Sequence, residues 1–409
     1  MSSNFDFAGV RHRLLPVLAI VLIAGSVFYA GLIENVGRNR DIDAKYFYVA
    51  ARCWGMGHSP YEPATYTAVY NSVFGSTPPA LFVAYLPTLM LVVLPMAPFD
   101  WSVAARLFSI INFVAAMVLI WACYRLVREC LGATFGLRHW FWICLGCTIG
   151  GIAGTISTGQ SSLFIAAAMA VALVGCRLQN TWLTVAGIVI ASAKPHLSGP
   201  LLLMITLFEP RQWKAIAIAV GVVAVVVTYA AIVDQHLLQS YVESMNTYKQ
   251  LATNDPMKEV GLVSFLMRTG WSNATAQAVG VAGLTGLLAL VGWRLLRSGR
   301  SLSYDAIAMM LVIFSIGLAK PIQAYDVCCY APAFALLGTV PLSYEYALFV
   351  PSLLVWRPAV AGKFHVMAPI NIITTLASIV LLAGVVVMAV STLQEKRAFG
   401  TESGGMREP

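Results

Sequence analysis

The chain has 409 residues, of which 59% are hydrophobic and 11% charged, and its formal net charge is +8. Soluble domains carry about 25% charged residues, so this chain has too few to cover a water-facing surface. Its mean hydropathy of +0.77 agrees. The composition excludes a soluble enzyme, and the lack of a soluble basic face excludes nucleic acid as a partner.

Apolar stretches of membrane-spanning length follow one another along the chain, without the alternating polarity of strands. A helix needs about 20 mostly apolar residues to cross a bilayer, and helices satisfy every backbone polar group in lipid. We therefore predict an all-α polytopic membrane protein with about 10–12 transmembrane helices. The first span lacks a cleavage site and is expected to be retained. The candidate spans are 13–33, 79–97, 101–124, 140–156, 160–176, 181–208, 213–233, 274–296, 303–319, 322–340, 342–356 and 366–393.

The polar loop between the first two spans carries the richest chemistry. Within the expected first external loop, 34–78, lie the carboxylates Asp41 and Asp43, the histidine His58 and several tyrosines. Asp43 stands where a helix begins, so an N-cap or solvated loop acid is its plain structural interpretation. A loop rich in acids and aromatics, anchored at both ends in a membrane, is suited to a polar substrate.

Helical segments are predicted inside the loops as well. In the first loop, 44–54 and 66–74 are predicted to form short helices at the membrane interface. The second external loop, 234–259, has the amphipathic spacing of a helix lying against the membrane on the same face. We expect residues 1–393 to form one transmembrane domain, followed by a disordered polar tail at 394–409.

Basic residues cluster at the ends of spans, as loops on the cytoplasmic side do. One basic loop, 125–138, conflicts with this rule. If the first loop is external and both spans after it cross fully, loop 125–138 is external too. Either a segment between them is re-entrant, or the acidic loop faces the other side.

Three polar interruptions stand out among the later spans. The run Ser157 to Ser162 is either an ordinary turn or a hydroxyl and amide cluster that lines a cavity. Lys194-Pro195-His196 places ionisable groups in an apolar run, where they either snorkel to an interface or bind an anionic ligand. Lys320-Pro321 repeats the theme, with Asp326 close behind.

The eight cysteines lie mostly inside spans and have no framework spacing, and no histidine cluster stands at metal-ligand distance. We interpret them as small core residues. No metal site is predicted, and a divalent cation is left open as a cofactor.

The combination of loop carboxylates with scattered lysines suits a particular reaction, the transfer of a sugar from a lipid-linked phosphate to a hydroxyl. A carboxylate accepts the proton of the attacking hydroxyl. Lysines meet the charge of the departing phosphate. A long isoprenoid needs a groove between helices, and aromatic side chains suit sugar faces.

The first-loop residues resemble the signature of glycosyltransferase family 87. The resemblance lies in Asp43 through Ala51, in Gly57 through Tyr61 and in the pair Pro78-Pro79. Later landmarks are similar in the same order, over about 40–340. They are Gly159-Gln160, Lys194-Pro195 and Pro321 before an aromatic-rich helix start, with a looser match at Asn112.

The resemblance implies a polyprenyl-phosphate-sugar-dependent transferase, mainly a mannosyltransferase, of the C-type (GT-C) membrane fold with its active site on the periplasmic or external side. It implies that Asp43 is the catalytic base and that Lys194 lies near the donor phosphate. Where the family often has a histidine five residues after the proline, this chain has Asp326. The family's Asn-Gln-Ser motif is replaced by Gly261 through Ser264. These departures leave the identity of donor and acceptor open.

The site prediction assigns Asp43 as the catalytic residue. The expected partners are a polyprenyl-phosphate-linked sugar, a lipid or glycan acceptor and membrane lipids, in the inner (plasma) membrane. The substrate-binding candidates are Asp41, Tyr48, His58, Tyr61, Gln160 and Asp326, and the donor-phosphate candidates are Lys194, His196 and Lys320.

Two other functions fit parts of the pattern. A transporter or flippase of a lipid-linked glycan would also need many helices, cations and a groove. It would distribute polar residues through the spans, whereas here they concentrate in two loops. A polysaccharide polymerase or ligase would need a larger loop, rich in arginine and histidine, than 234–259.

Overall fold

The computed structural model describes residues 42–78, 83, 85–131, 135–249, 255, 259–356 and 370–402. These residues are almost entirely helical, and within them the β structure is one isolated antiparallel bridge between Val260 and Ile322. The prediction of an all-α membrane protein is confirmed. Four described helices are long and apolar enough to span a bilayer, namely Trp101–Cys130, Pro210–Val233, Asn273–Ser298 and Asn371–Thr392. The predicted span 13–33 lies outside the described residues, as does Asp41.

The α-helices are numbered in chain order. They are α1 Ile42–Gly55, α2 Pro63–Phe74, α3 Met90–Val93, α4 Trp101–Leu131, α5 Leu137–Cys147, α6 Gly150–Thr158, α7 Ser162–Leu178, α8 Thr181–Ala191, α9 Pro195–Phe208, α10 Trp213–Val233, α11 Leu237–Lys249, α12 Leu262–Arg268, α13 Asn273–Ser298, α14 Ala306–Phe314, α15 Ala331–Leu337, α16 Leu342–Trp356 and α17 Ile370–Glu402. Short 3₁₀ turns occur at Pro87–Leu89, Leu94–Met96, Pro210–Gln212, Leu302–Tyr304, Ser315–Gly317 and Ala324–Tyr330.

Helix α7 is the centre of the bundle. Its residues from Ser162 to Cys176 are all buried, as expected for a helix that is apolar on every side. Small residues let α8 approach closely. A Cβ added at Gly187 would stand 2.5 Å from the backbone nitrogen of Ala172, and one at Gly175 would stand 2.5 Å from that of Thr184. This small-residue packing is the usual way for membrane helices to make close contact.

The loop helices form where the sequence predicts them. Helices α1 and α2 correspond to the two segments expected in the first loop, and α11 is the amphipathic helix expected in the second. The Oγ of Ser244 in α11 accepts the N–H of Val83 at 2.9 Å. The rings of Tyr61 and Tyr241 meet with centroids 5.6 Å apart. Both loops therefore pack at the same end of the bundle, called here the first-loop end.

The predicted span 79–97 does not cross the bundle, which corrects the sequence interpretation. Its described helical part, Pro87–Met96, is short. Both of its flanks touch the first loop, because the Tyr61 hydroxyl donates to the carbonyl of Tyr85 at 2.7 Å and the Tyr48 hydroxyl donates to that of Phe99 at 2.6 Å. The two described flanks therefore lie at the same end of the bundle, which favours the re-entrant alternative. Helix α4 then carries the basic loop 125–138 to the opposite end.

Several other predicted spans are broken by local chemistry. The span 140–156 divides at Thr148 into α5 and α6, and 181–208 divides at Ser192–Lys194 into α8 and α9. The proline after Lys194 takes the first position of α9, where its missing N–H is not needed. The final helix runs on to Glu402, so no helix end marks the expected start of the tail at 394.

Candidate active site

Asp43 lies in the first turn of α1, at the first-loop end, and is partly buried. Burial raises the pKa of its carboxyl from 3.8 to about 6. A hydrogen bond with Gln160 and the charge of Lys194 act in the other direction, and the charge of Asp326 adds to the rise. The helix N-terminus favours a carboxylate there. Asp43 therefore changes its protonation state close to neutral pH, as a general base must.

Gly159 fixes where the helix of Asp43 begins. It ends α6 in a left-handed conformation, with φ of 68°. A Cβ at this position would stand 2.5 Å from the Cβ of Ala44 and 3.2 Å from its backbone nitrogen. Two requirements for glycine coincide, since the backbone turn favours it and the contact excludes any side chain. The residue after Asp43 thus rests directly on the turn that carries Gln160.

Gln160 joins the acid to the re-entrant segment. It is buried, and its Oε1 accepts the hydroxyl of Tyr85 at 2.9 Å. Its side chain is also close enough to Asp43 to favour the ionised form of that carboxyl. Gln160 thus lies between the re-entrant segment and the acid. From the sequence, its stretch was either an ordinary turn or a cavity-lining cluster with Gln160 as a substrate-binding candidate, and the structure places Gln160 next to Asp43.

A buried ion pair lies beside this chain. The Nζ of Lys194 is 2.5 Å from Oδ1 of Asp326 and donates to Oγ of Ser162 at 2.9 Å. Ser162 also donates to the same carboxylate oxygen, and Oδ2 accepts the backbone N–H of Gln323 at 3.1 Å. Lys194 is 5% exposed and Asp326 1%. Burying such a pair is costly, and the hydrogen bonds from Ser162 and Gln323 offset part of that cost.

Aromatic rings surround the ammonium group. The Nζ of Lys194 is 5.8 Å from the ring centroid of Tyr85 and 5.3 Å from that of Tyr325. Tyr248 of the loop helix is close enough to both Lys194 and Tyr85 for electrostatic interaction. Ring faces stabilise cations and also suit the flat apolar faces of sugars. The rings connect the ion pair to the loop helix above it.

Further titratable groups lie next to the pair. His196 and the exposed Lys320 interact electrostatically with each other, and His196 also interacts with Asp326 and Lys194. Burial raises the pKa of Glu259 to about 7, where it accepts the side-chain N–H of Gln323 at 2.6 Å. The acids Asp43, Glu259 and Asp326 thus lie in one region with the lysines Lys194 and Lys320.

Three predicted substrate-binding residues lie elsewhere in the described structure. Tyr48 is buried with its hydroxyl on the carbonyl of Phe99, and Tyr61 is buried against Trp54 and Tyr241. His58 is exposed in the turn after α1. For Tyr48 and Tyr61 the structure shows packing of the first loop, so a direct role in substrate binding is not supported by these contacts.

Five residues of this cluster were not predicted as site residues. The hydroxyl run from Ser157 pointed toward Ser162, the second loop contains Tyr248 and Glu259, and Tyr325 stands in the aromatic-rich stretch after Pro321. No local signal marks Tyr85. The missed residues are Tyr85, Ser162, Tyr248, Glu259 and Tyr325.

A small cavity of about 140 Å³ opens on another side of Gly159. Among the side chains that line it are Arg106 and Asn112 of α4. The Oδ1 of Asn112 is buried without a hydrogen-bond partner among the described residues. Across the described part of the chain, no three His, Cys, Asp or Glu side chains are grouped to hold a metal ion, and the need for a divalent cation stays a question for experiment.

The family model of glycosyltransferase family 87 matches residues 82–321, which is more than half of the chain. The chain belongs to glycosyltransferase family 87. The earlier resemblance is thereby confirmed, and the protein is a membrane glycosyltransferase. No curated protein matches the sequence.

A solved structure is also similar to this family 87 chain. The crystal structure of ArnT from Cupriavidus metallidurans, bound to undecaprenyl phosphate, has 12% sequence identity and a TM-score of 0.45. The similarity covers 93% of this chain and 78% of that one.

The family match has informative limits. It includes Tyr85, Gln160, Lys194 and Lys320 but ends before Asp326 and begins after Asp43. The fold brings these two acids into contact with the matched part, through Gln160 for Asp43 and Lys194 for Asp326. The site is thus assembled from inside and outside the family 87 match.

Proposed function

We propose that this glycosyltransferase moves a sugar, mannose in the first instance, from a polyprenyl-phosphate donor to a hydroxyl of a lipid-linked or glycan acceptor. The observation that carries the proposal is the position of Asp43. Its carboxyl has a pKa of about 6 and lies within electrostatic reach of the Lys194–Asp326 pair. A base and a cation thus lie close to each other, as the transfer of a sugar from a phosphate requires.

The reaction is a single displacement with inversion. The acceptor oxygen attacks the anomeric carbon while its proton passes to the Asp43 carboxylate. The bond between the anomeric carbon and the phosphate oxygen breaks, and polyprenyl phosphate leaves with the electron pair. A general base of this kind contributes about 10²–10⁴ in rate.

The leaving phosphate gains charge as the bond breaks, and cations lower the energy of that state. Lys194 has three N–H groups, of which Asp326 and Ser162 take two. The third has no acceptor among the residues that the structure describes and can donate to a phosphate oxygen, and the exposed Lys320 supplies the second cation. His196 is a weaker candidate, since its side chain is partly buried and lies beside two lysines that already supply the positive charge.

Asp326 takes the position at which relatives often have a histidine. Its carboxylate accepts from Lys194, from Ser162 and from the backbone of Gln323. Two of these bonds involve the lysine or its serine partner, and the third fixes the carboxylate to its own chain turn. We infer that Asp326 positions Lys194 and does not touch the sugar. This replaces the direct substrate-binding role expected from the sequence.

The C-type fold and the location follow from the same proposal. The donor lipid would reach the site from the bilayer, and the first-loop end would face the periplasm in an inner membrane. The arginine-rich loop 125–138 then faces the cytoplasm, in agreement with the positive-inside rule. A flippase is disfavoured because the chain belongs to a glycosyltransferase family.

The experiment is a transferase assay on purified protein with a panel of polyprenyl-phosphate sugars, reading released polyprenyl phosphate. Asp43→Asn should lower kcat by about 10²–10⁴. The variant should fold, because burial disfavours the Asp43 charge and asparagine removes it. Asp100→Asn, an acid of the same end outside the site, is the matched control. Full activity of Asp43→Asn would remove the assignment.

A further inference from the structure

A second recess lies far from the candidate active site, at the other end of the bundle. Helices α7 and α9 begin at Ser162 and next to Lys194, and they have 17 and 14 residues. At 1.5 Å per residue they extend roughly 20–25 Å from the site. Their far ends, Arg177 and Phe208, line a cavity of about 930 Å³. This end is called the arginine end.

Three arginines converge on the recess from three different helix ends. Arg177 is in the last turn of α7, Arg211 is in the turn after Pro210, and Arg300 follows the left-handed Gly299 that ends α13. Arginines at helix C-termini balance the helix dipole. That role alone does not require three of them to face one cavity.

Arg177 is held rigidly and still has donors to offer. Its Nη2 donates to the carbonyl of Glu129 at 2.8 Å, and its guanidinium carbon is 4.2 Å from the ring centroid of Tyr304. Arg177 also lines the recess. A guanidinium has five N–H donors, and the bond to Glu129 uses one of its Nη hydrogens, so the fixed group presents a localised positive charge to the recess.

The acid of the recess does not cancel these charges. Glu209 is 1% exposed and its carboxylate accepts the backbone N–H of Ser303. By contrast, Arg211 and Arg300 are exposed. The described lining holds three arginines and one acid, so its net charge is positive.

The remaining wall is apolar and faces outward. Leu207 is 59% exposed and Leu296 78%, and both line the recess with Leu295. Exposed leucines beside arginines at a bilayer surface match a molecule with an anionic head and hydrocarbon chains. A free anion has no hydrocarbon chain that could bury the apolar surface of these leucines.

We propose that the recess binds the phosphate of an anionic phospholipid in the leaflet opposite the active site, with its acyl chains along Leu207 and Leu296. This site is independent of the transferase chemistry. Arg177 and Arg300 contact the phosphate, Arg211 lies at the open rim, and the leucines select a lipid over a soluble phosphate.

Native mass spectrometry of the purified full chain, titrated with phosphatidylglycerol or phosphatidylcholine of equal chain length, tests the proposal. Phosphatidylglycerol should bind more tightly, and Arg211→Gln/Arg300→Gln should weaken its binding about tenfold. The matched control is Arg128→Gln/Arg297→Gln, which removes two exposed arginines of the same end that do not line the recess.

The outcomes separate the sources of the phosphate. Equal weakening in both double variants, or equal binding of the two lipids, would mean general surface attraction and would overturn the site. Competition by millimolar inorganic phosphate with no dependence on acyl chains would assign the recess to a soluble anion instead. Transferase activity of the recess variant in neutral detergent should be unchanged.

Discussion

Two buried ion pairs sit at opposite ends of this bundle, and they are built differently. At the arginine end, Arg294 pairs with Asp305 at 2.8 Å and also donates to Ala389 and Thr392, while Asp305 caps α14 through two backbone N–H groups. Every partner there belongs to the scaffold. At the first-loop end, the Lys194–Asp326 pair is surrounded by tyrosine rings and titratable groups.

The difference shows how to distinguish a structural ion pair from a functional one. Both pairs are costly to bury and both make further hydrogen bonds, so burial alone does not separate them. Their surroundings do. Arginine, with a fixed fork of donors, ties several elements together. Lysine is a single point charge, and it stands where a second acid, Asp43, is close enough to be affected by it.

The largest effect, a loss of stability, is expected when one residue of a buried ion pair is replaced and its partner is left charged. Lys194→Met leaves the Asp326 charge buried, which costs about 3–5 kcal/mol, and Arg294→Met leaves Asp305 in the same state. Both single variants should lose thermal stability in a detergent unfolding assay. A test of the proposed role of Lys194 at the donor phosphate therefore needs a variant that keeps the fold.

Double variants supply that measurement. Lys194→Met/Asp326→Asn and Arg294→Met/Asp305→Asn each remove both charges and should recover much of the lost stability, since asparagine can also cap α14. Only Lys194→Met/Asp326→Asn should stay inactive, because it can no longer use the polyprenyl-phosphate donor. If both double variants were equally active, the two pairs would be equivalent and Lys194 would be structural.

A smaller effect is expected at Gly159, which positions the helix of Asp43. Gly159→Ala combines a strained left-handed backbone with the contact to Ala44, and should cost about 1–3 kcal/mol. It should also lower kcat by about 100-fold, because it shifts the acid. Gly75→Ala is the matched control, with φ of 66° and no atom within 4 Å of an added Cβ. If both variants lost activity equally, backbone strain would explain the effect and the contact would not.

Much of the fold was predictable from the sequence, because hydrophobic periodicity depends on neighbours along the chain. It indicated α1, α2 and α11, and the polar breaks pointed to Gln160, Lys194 and Asp326. Periodicity does not say which helices are adjacent. Lys194 and Asp326 are 132 residues apart, and nothing local predicts that they pair. Tyr85 was hidden in a predicted span that turned out not to cross.

The smallest expected effect concerns the pH dependence of catalysis, and it tests whether Gln160 tunes Asp43. The base must be ionised, so activity should rise as pH increases through about 6. Because Gln160 favours the ionised form of Asp43, Gln160→Ala should move the acid limb of kcat/KM to higher pH by roughly 0.5–1. Gln323→Ala removes a glutamine of the same site that bonds to Glu259 and should leave the limb in place.

Stability should respond to pH in the opposite direction from activity. A carboxyl whose pKa is raised by folding favours the folded state at low pH, and it loses that contribution as pH rises from its ordinary value of 3.8 through about 6. Gln160→Ala should extend the loss to higher pH, seen as a steeper fall of Tm between pH 6 and pH 7. An acid limb that stays in place while Tm falls uniformly would show that Gln160 only packs. If the acid limb of kcat/KM moves in Gln160→Ala and stays in place in Gln323→Ala, activity depends on the ionisation of Asp43 as tuned by Gln160. The first-loop end would then depend on an acid that titrates, whereas the arginine end carries permanent charges.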